Sequence, residues 1–167
     1  LIGALSTNPN ISVIVKGDHS LNKRSMKKLI DLLKEFGATF LPKNKFNFPL
    51  KMISSEMPVG INYKAGISAQ LKSAAILAGL NSYGNTIIEE NIISRDHTEN
   101  LLKDNRQSIQ IKKGKKRIIT VFGKNFLKPI NLNIGGDPSS AAFFTALTLL
   151  NTNSSLKIKN VGLNPTR

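Results

Sequence analysis

The 167-residue chain contains no cysteine and no tryptophan. The first absence excludes disulfides and thiolate metal sites. The second leaves few stacking surfaces: Phe40, Phe46, Phe48 and Phe122 show no interleaving with basic residues of the kind that single-strand nucleic-acid platforms use. Acidic residues are also scarce, 10 against 24 Lys and Arg, for a formal net charge of +14. That excess is more than solubility requires and favours anionic partners. Long apolar runs are missing as well. The stretches around Ala141 to Leu150 and Ile76 to Leu80 fall short of the roughly 20 residues a membrane-spanning helix needs. With no secretory-type leader in view, a cytoplasmic location is the default expectation.

What is present fits a globular protein. Hydrophobic residues make up 40% and charged residues 20%, which suits one domain with a real core or two small subdomains. The one dense basic cluster, Lys112-Lys113-Gly114-Lys115-Lys116-Arg117, reads as a hairpin tip between Ile109-Gln110-Ile111 and Arg117 to Val121. A solvated turn accounts for it without any nucleic acid.

Along the chain, Leu1 to Leu5 reads as the tail of a helix, and Ile11 to Val15 as a strand. Gly17-Asp18-His19-Ser20 then turns toward Asn22-Lys23-Arg24-Ser25. Met26, Leu29, Ile30 and Leu33 recur at helical spacing, with Gly37 as the stop. Phe46 to Met52 and Gly60 to Tyr63 predict short strands. After Gly66, a helix places Leu71, Ala74, Ala75 and Ala78 on one face, with Ser68 and Gln70 at its start. Thr86 to Ile88 and Ile92-Ile93 are strand-like, and Asp96 with Glu99 has the spacing of a capping box. Ile130 to Ile134 alternates like a strand. Asp137 and Pro138 supply an N-cap and first-turn proline for a buried helix through Leu150, and Leu156 to Ile158 predicts one more strand.

These pieces repeat. Arg24, Arg95 and Arg167 stand 71 and 72 residues apart, and Ser68 and Ser139 also 71 apart. A unit of about seventy residues, used twice and begun a third time, gives two helices and three or four strands per unit. Gly66 to Ala74, and Ser94 to Glu99, each lead into a helix through small polar residues, where backbone N–H groups and side-chain donors can converge on an anion. An arginine just before a helix start, twice at one spacing, points the same way. Taken singly, each residue also has a plainer reading: Ser68, Asp96 and Asp137 as helix caps, Arg24 and Arg95 as surface arginines, and His97 and Lys72 as packing residues.

Five stretches in order carry a resemblance to a known family. They are Gly17-Asp18 through Lys23-Arg24-Ser25-Met26; Ser68-Ala69-Gln70-Leu71-Lys72-Ser73-Ala74 with Ala78-Gly79-Leu80; Ser94-Arg95-Asp96-His97-Thr98-Glu99; Gly136-Asp137-Pro138-Ser139-Ser140-Ala141-Ala142-Phe143-Phe144; and Val161-Gly162-Leu163-Asn164-Pro165-Thr166-Arg167. Together they resemble the 5-enolpyruvylshikimate-3-phosphate synthase family of the shikimate pathway. The resemblance implies an α/β fold of repeated βαβαββ units, an inside-out α/β barrel with three units in each of two globular halves. Here it implies about two units in residues 1–135, the first truncated, and the start of the second half in residues 136–167.

It further implies transfer of the enolpyruvyl group of phosphoenolpyruvate to the 5-hydroxyl of shikimate 3-phosphate, with release of phosphate and no metal or organic cofactor. By resemblance Ser68, Ala69, Gln70, Ser94 and Arg95 hold shikimate 3-phosphate, while Arg24 grips phosphoenolpyruvate and Gln70 reaches toward it. The family's glycine loop, its proton-transferring aspartate and other substrate-binding cations have no counterpart in this chain. It therefore reads as a central fragment with no catalytic residues of its own and no turnover by itself. The intact protein is expected to be a monomer acting on small molecules, with neither nucleic acid nor membrane as partner. Ser25 departs from the proline usual in the family, which bears on helix entry. The related UDP-N-acetylglucosamine enolpyruvyl transferase lacks the Ser-Ala-Gln-x-Lys-Ser-Ala and Ser-Arg-Asp-His-Thr strings. A basic nucleic-acid-binding module remains the alternative from another class.

Overall fold

A computed structural model of the chain describes residues 1–166. Arg167, last of the three spaced arginines and end of the fifth motif, lies outside the described residues. The chain divides into two compact units, Leu1–Lys128 and Pro129–Arg167.

The first unit begins with a short helix α1 (Ile2–Ser6), a strand β1 (Ser12–Val15), a single-turn helix α2 (His19–Asn22) and a longer helix α3 (Lys27–Glu35). Strands β2 (Thr39–Leu41) and β3 (Leu50–Ile53) follow. The order then becomes β4 (Asn62–Ala65), α4 (Ala69–Leu80), β5 (Asn85–Glu90), α5 (His97–Leu102), β6 (Ile109–Lys113) and β7 (Arg117–Phe122). Residues 62–122 thus form one complete βαβαββ repeat, and the elements before them form the same series without its first strand. The first repeat makes an antiparallel sheet in the order β1-β3-β2, and the second a four-stranded sheet in the order β4-β5-β7-β6. β4 and β5 run parallel, in the register Ala65 opposite Glu90, while β5-β7 and β7-β6 are antiparallel.

Local chemistry explains most boundaries. The apolar spacing of α3 buries Ile30 and Leu33, and Leu32 beside them. Gly37, at φ +92°, ends it in the left-handed conformation that glycine adopts most readily. The Gly37 and Ala38 amides return to the carbonyls of Lys34 and Leu33. Helix α4 buries Ala75, Ile76 and Ala78 on more than one side, as a helix enclosed by its own protein does. Helix α1 packs on α4, and a Cβ added at Gly3 would strike the Ala74 backbone. Phe36, Phe40, Leu50, Met52, Ile88, Ile119 and Val121 join these residues in one continuous core. Each large side chain taken fully out of water contributes about 1.5–3 kcal/mol before the cost of ordering the chain.

Several expected boundaries move. The strand expected from Phe46 begins only at Leu50, because Pro49 has no N–H for a ladder. The strand expected at Gly60 starts at Asn62. Asp18 accepts the Leu21 amide and so turns the expected bend into the short helix α2. Ile92 and Ile93 are exposed beyond the end of β5, not in a strand.

In the second unit, the helix α6 (Pro138–Leu149) has the expected cap, Asp137 Oδ1 accepting the Ser139 amide with Pro138 in the first turn. It is not the buried helix that was expected, since no residue on it is buried. Residues 130–134 and 156–158 form no strands. A strand is stabilised by its ladder partners, and pairing in this unit among the described residues is limited to a parallel bridge between Gly136 and Val161.

Candidate functional site

Because β4 and β5 are parallel neighbours, the turns that leave their C-terminal ends emerge on one edge of the sheet. In open α/β sheets that edge is where ligands are received. The turn after β4 carries Gly66 and Ser68 and leads into Ala69 and Gln70 at the start of α4; the turn after β5 carries Ser94 and Arg95. The fold therefore brings together five of the six substrate-binding residues expected from the sequence.

Ser68 is the N-cap of α4, its hydroxyl accepting the Leu71 amide at a long 3.4 Å. Ser68 and Ala69 are half-buried, and Gln70 and Arg95 are exposed. Gly66 has a negative φ and open space where a Cβ would stand, so the protein itself gives no steric reason for glycine there. The two turns are braced from behind by a hydroxyl pair, Ser73 Oγ to Thr98 Oγ1 at 2.7 Å, joining α4 to α5.

Ser94 is buried. Its hydroxyl donates to Glu90 Oε1 at 2.9 Å and its amide to the same oxygen at 3.2 Å. Its carbonyl accepts from Lys72 Nζ at 3.3 Å. Lys72, which the sequence left open between site and structure, is 0% exposed and sits inside the protein. Its ammonium lies 2.9 Å from Glu90 and 2.7 Å from Glu99. Arg117 closes the group, 3.3 Å from Glu90 Oε2 and 3.6 Å from Glu99 Oε1. Two buried cations thus face two buried carboxylates, with Asp96 at the rim, 3.9 Å from Arg117.

The contact of Glu99 with Lys72 is one of charge, off the direction of a hydrogen bond, and Glu99 Oε2 and Arg117 Nε have no hydrogen-bond partner. Burial pushes the Glu90 carboxyl up, but Lys72 and the two Ser94 donors outweigh it and hold it below its ordinary value of 4.5. The expected capping box between Asp96 and Glu99 does not form. Glu99 turns inward to Lys72, and Asp96 Oδ1 accepts from Asn100 Nδ2.

Sequence reasoning missed Glu90 and Arg117. Their signal is strand phase: Glu90 follows Thr86 and Ile88 on the inward face of β5, and Arg117 precedes Ile119 and Val121 on that of β7.

Arg24 comes from the first repeat, between α2 and α3, and is exposed. Its turn is held by its own amide on the Leu21 carbonyl, by Asn47 Nδ2 on the Lys23 carbonyl, and by the Met26 amide on the Phe46 carbonyl.

The model of the EPSP synthase (3-phosphoshikimate 1-carboxyvinyltransferase) family matches residues 1–167. The chain belongs to the EPSP synthase family. Among curated members of that family, the 3-phosphoshikimate 1-carboxyvinyltransferase of Novosphingobium aromaticivorans is 42% identical over 170 residues, a match that takes in the whole chain and 38% of the relative. That of a Ruegeria species is 38% identical, with 37% of its length covered. A solved EPSP synthase structure from Acinetobacter baumannii is similar over the whole chain and 37% of its own, with a TM-score of 0.76 and 32% identity. The two repeats therefore carry the enolpyruvyl transferase fold, and the chain spans well under half the length of the EPSP synthases it matches.

Proposed function

We propose that the chain is the central portion of a protein that transfers the enolpyruvyl group of phosphoenolpyruvate to the 5-hydroxyl of shikimate 3-phosphate and releases phosphate. The observation that carries this reading is the parallel β4-β5 pair, which sets the Ser68-Ala69-Gln70 and Ser94-Arg95 turns side by side in a chain matched along its whole length by one family. Residues 1–135 belong to the first globular half and residues 136–167 open the second.

The chemistry gathers two phosphates and a carboxylate, so fixed cations and oriented donors must offset their repulsion. Ser68, Ala69, Gln70, Ser94 and Arg95 form the wall that receives shikimate 3-phosphate. Arg24 binds phosphoenolpyruvate, its planar guanidinium able to donate two parallel hydrogen bonds, and Gln70 reaches between the two substrates. The groups that move protons belong to the rest of the protein. The reading needs neither nucleic acid nor membrane, and it places the intact protein in the cytoplasm as a monomer. No described helix is long and apolar enough to cross a membrane.

The test is phosphate release by the longer protein that contains this chain. Release that requires both phosphoenolpyruvate and shikimate 3-phosphate is expected. Release with phosphoenolpyruvate alone, or none with both, would overturn the reading.

A further inference from the structure

We infer that Glu90 is a positioning residue: through its two hydrogen bonds to Ser94 and its ion pair with Lys72, it fixes the Ser94-Arg95 turn against the first turn of α4. The inference rests on the proposed reading of those turns as one wall of a shikimate 3-phosphate pocket.

Glu90 ends β5, and its Oε1 alone receives three donors: the Ser94 amide, the Ser94 hydroxyl and Lys72 Nζ. Lys72 stands two residues beyond Gln70 and also grips the Ser94 carbonyl. Both ends of the Ser94 backbone are thereby tied to one buried ion pair, and the pair is rooted in the two elements whose turns form the pocket wall.

Stability is a poor reason to keep such a group. Four charged side chains lie at 7% exposure or less, and replacing a buried ion pair with apolar side chains of similar volume is often neutral or stabilising. What an apolar core cannot do is hold Ser94 by its donors. Glu99 provides the internal comparison. It shares Lys72 and Arg117 with Glu90 and is equally buried, but no hydrogen bond joins it to Ser94.

The experiment compares Glu90→Gln with Glu99→Gln in the longer protein, by unfolding midpoint and by steady-state kinetics for each substrate. Both variants are expected to lose stability. Only Glu90→Gln is expected to raise the KM for shikimate 3-phosphate, about tenfold, the loss of roughly one charge-assisted hydrogen bond. Its KM for phosphoenolpyruvate should stay within about twofold, as should both constants in Glu99→Gln. Equal effects of the two variants on the KM for shikimate 3-phosphate, or none from either, would overturn the inference. A wild-type protein indifferent to shikimate 3-phosphate would defeat the pocket reading instead.

Hydrogen exchange of the unaltered protein, with no substrate present, supplies a readout that survives a misfolded variant or a failed pocket. The Ser94 amide should be protected roughly a hundredfold or more over an unstructured amide. Exchange at the unstructured rate would overturn the positioning role of Glu90.

Discussion

Ser94 has one hydroxyl proton, and Glu90 holds it. An anion arriving at this turn must receive that proton by rotation of the hydroxyl, which leaves Glu90 Oε1 with the Ser94 amide and Lys72, and Oε2 with Arg117. The carboxylate can release the hydroxyl because those donors remain. Its depressed pKa also has a consequence for stability. The unfolded carboxyl titrates near its ordinary value of 4.5 and the folded one lower, so between those values the unfolded state binds more protons and stability rises with pH. The contribution of Glu90 is full above about 4.5 and is lost as pH falls through the folded value. Urea midpoints of the chain should fall across that acid window, and Glu90→Gln should flatten the slope there. An unchanged slope would show that Glu90 is not held as described. Glu89, drawn down by exposed Lys116, contributes a part that salt screens, whereas the buried Glu90 part persists in salt. For Arg24, the pocket reading expects Arg24→Ala in the longer protein to raise the KM for phosphoenolpyruvate by about a hundredfold, near the loss of a paired charge-assisted contact, and that for shikimate 3-phosphate far less. Lysine should restore little of this, since an ammonium cannot make the paired contact. Equal losses for both substrates would remove the assigned role.

Among the elements, α4 does most to connect fold with site: it opens on Ser68, carries Lys72 inward one turn later and lies beneath α1. The closeness of α1 depends on Gly3, where an added Cβ meets Ala74 backbone atoms that no rotamer change can move. Gly3→Ala should destabilise the chain by about 1–2 kcal/mol, overpacking outweighing the smaller gain in helix propensity. A denaturation midpoint at or above wild type would mean that α1 does not pack as described. The same helix marks what could be read from sequence. Its start was legible because Ser68 has the chemistry of a cap, as was the end of α3, because Gly37 is a natural left-handed stop. That the two turns belong together came only with the family resemblance, which assigns Ser68, Gln70, Ser94 and Arg95 to one ligand. The ion cluster was not legible. Strand phase turns Glu90 and Arg117 inward, but nothing near Lys72, Glu90, Glu99 or Arg117 in the sequence names the opposite charges, 18 or 27 positions away, that make their burial tolerable. Arg117 was taken into the basic turn and Glu99 into a capping box because local chemistry offered a sufficient explanation for each.

At the scale of the whole molecule, the core is unevenly distributed. Every buried hydrophobic side chain among the described residues belongs to the unit Leu1–Lys128. In the unit Pro129–Arg167, α6 buries none of its residues, and Phe143, Leu149 and Leu150 are 79%, 81% and 85% exposed. A helix of twelve residues without an apolar partner is marginal in water, because nucleation is costly and propensity alone repays it slowly. Strands β5 and β7, by contrast, open only when a packed core opens with them. In the 167-residue chain, amides of α6 should therefore exchange at least about a hundredfold faster than those of Ile88, Ile119 and Val121. In the longer protein the α6 amides should slow, while β5 and β7 keep the rates they already have, because the core side chains that join theirs all lie within residues 1–128. Protection of α6 equal to that of β5 in the 167-residue chain would show that its exposed face is covered in solution, by a second copy of the chain if the protection rises with concentration. A concentration series of the exchange rates separates the two, since burial within one molecule is independent of dilution and burial between copies is lost with it.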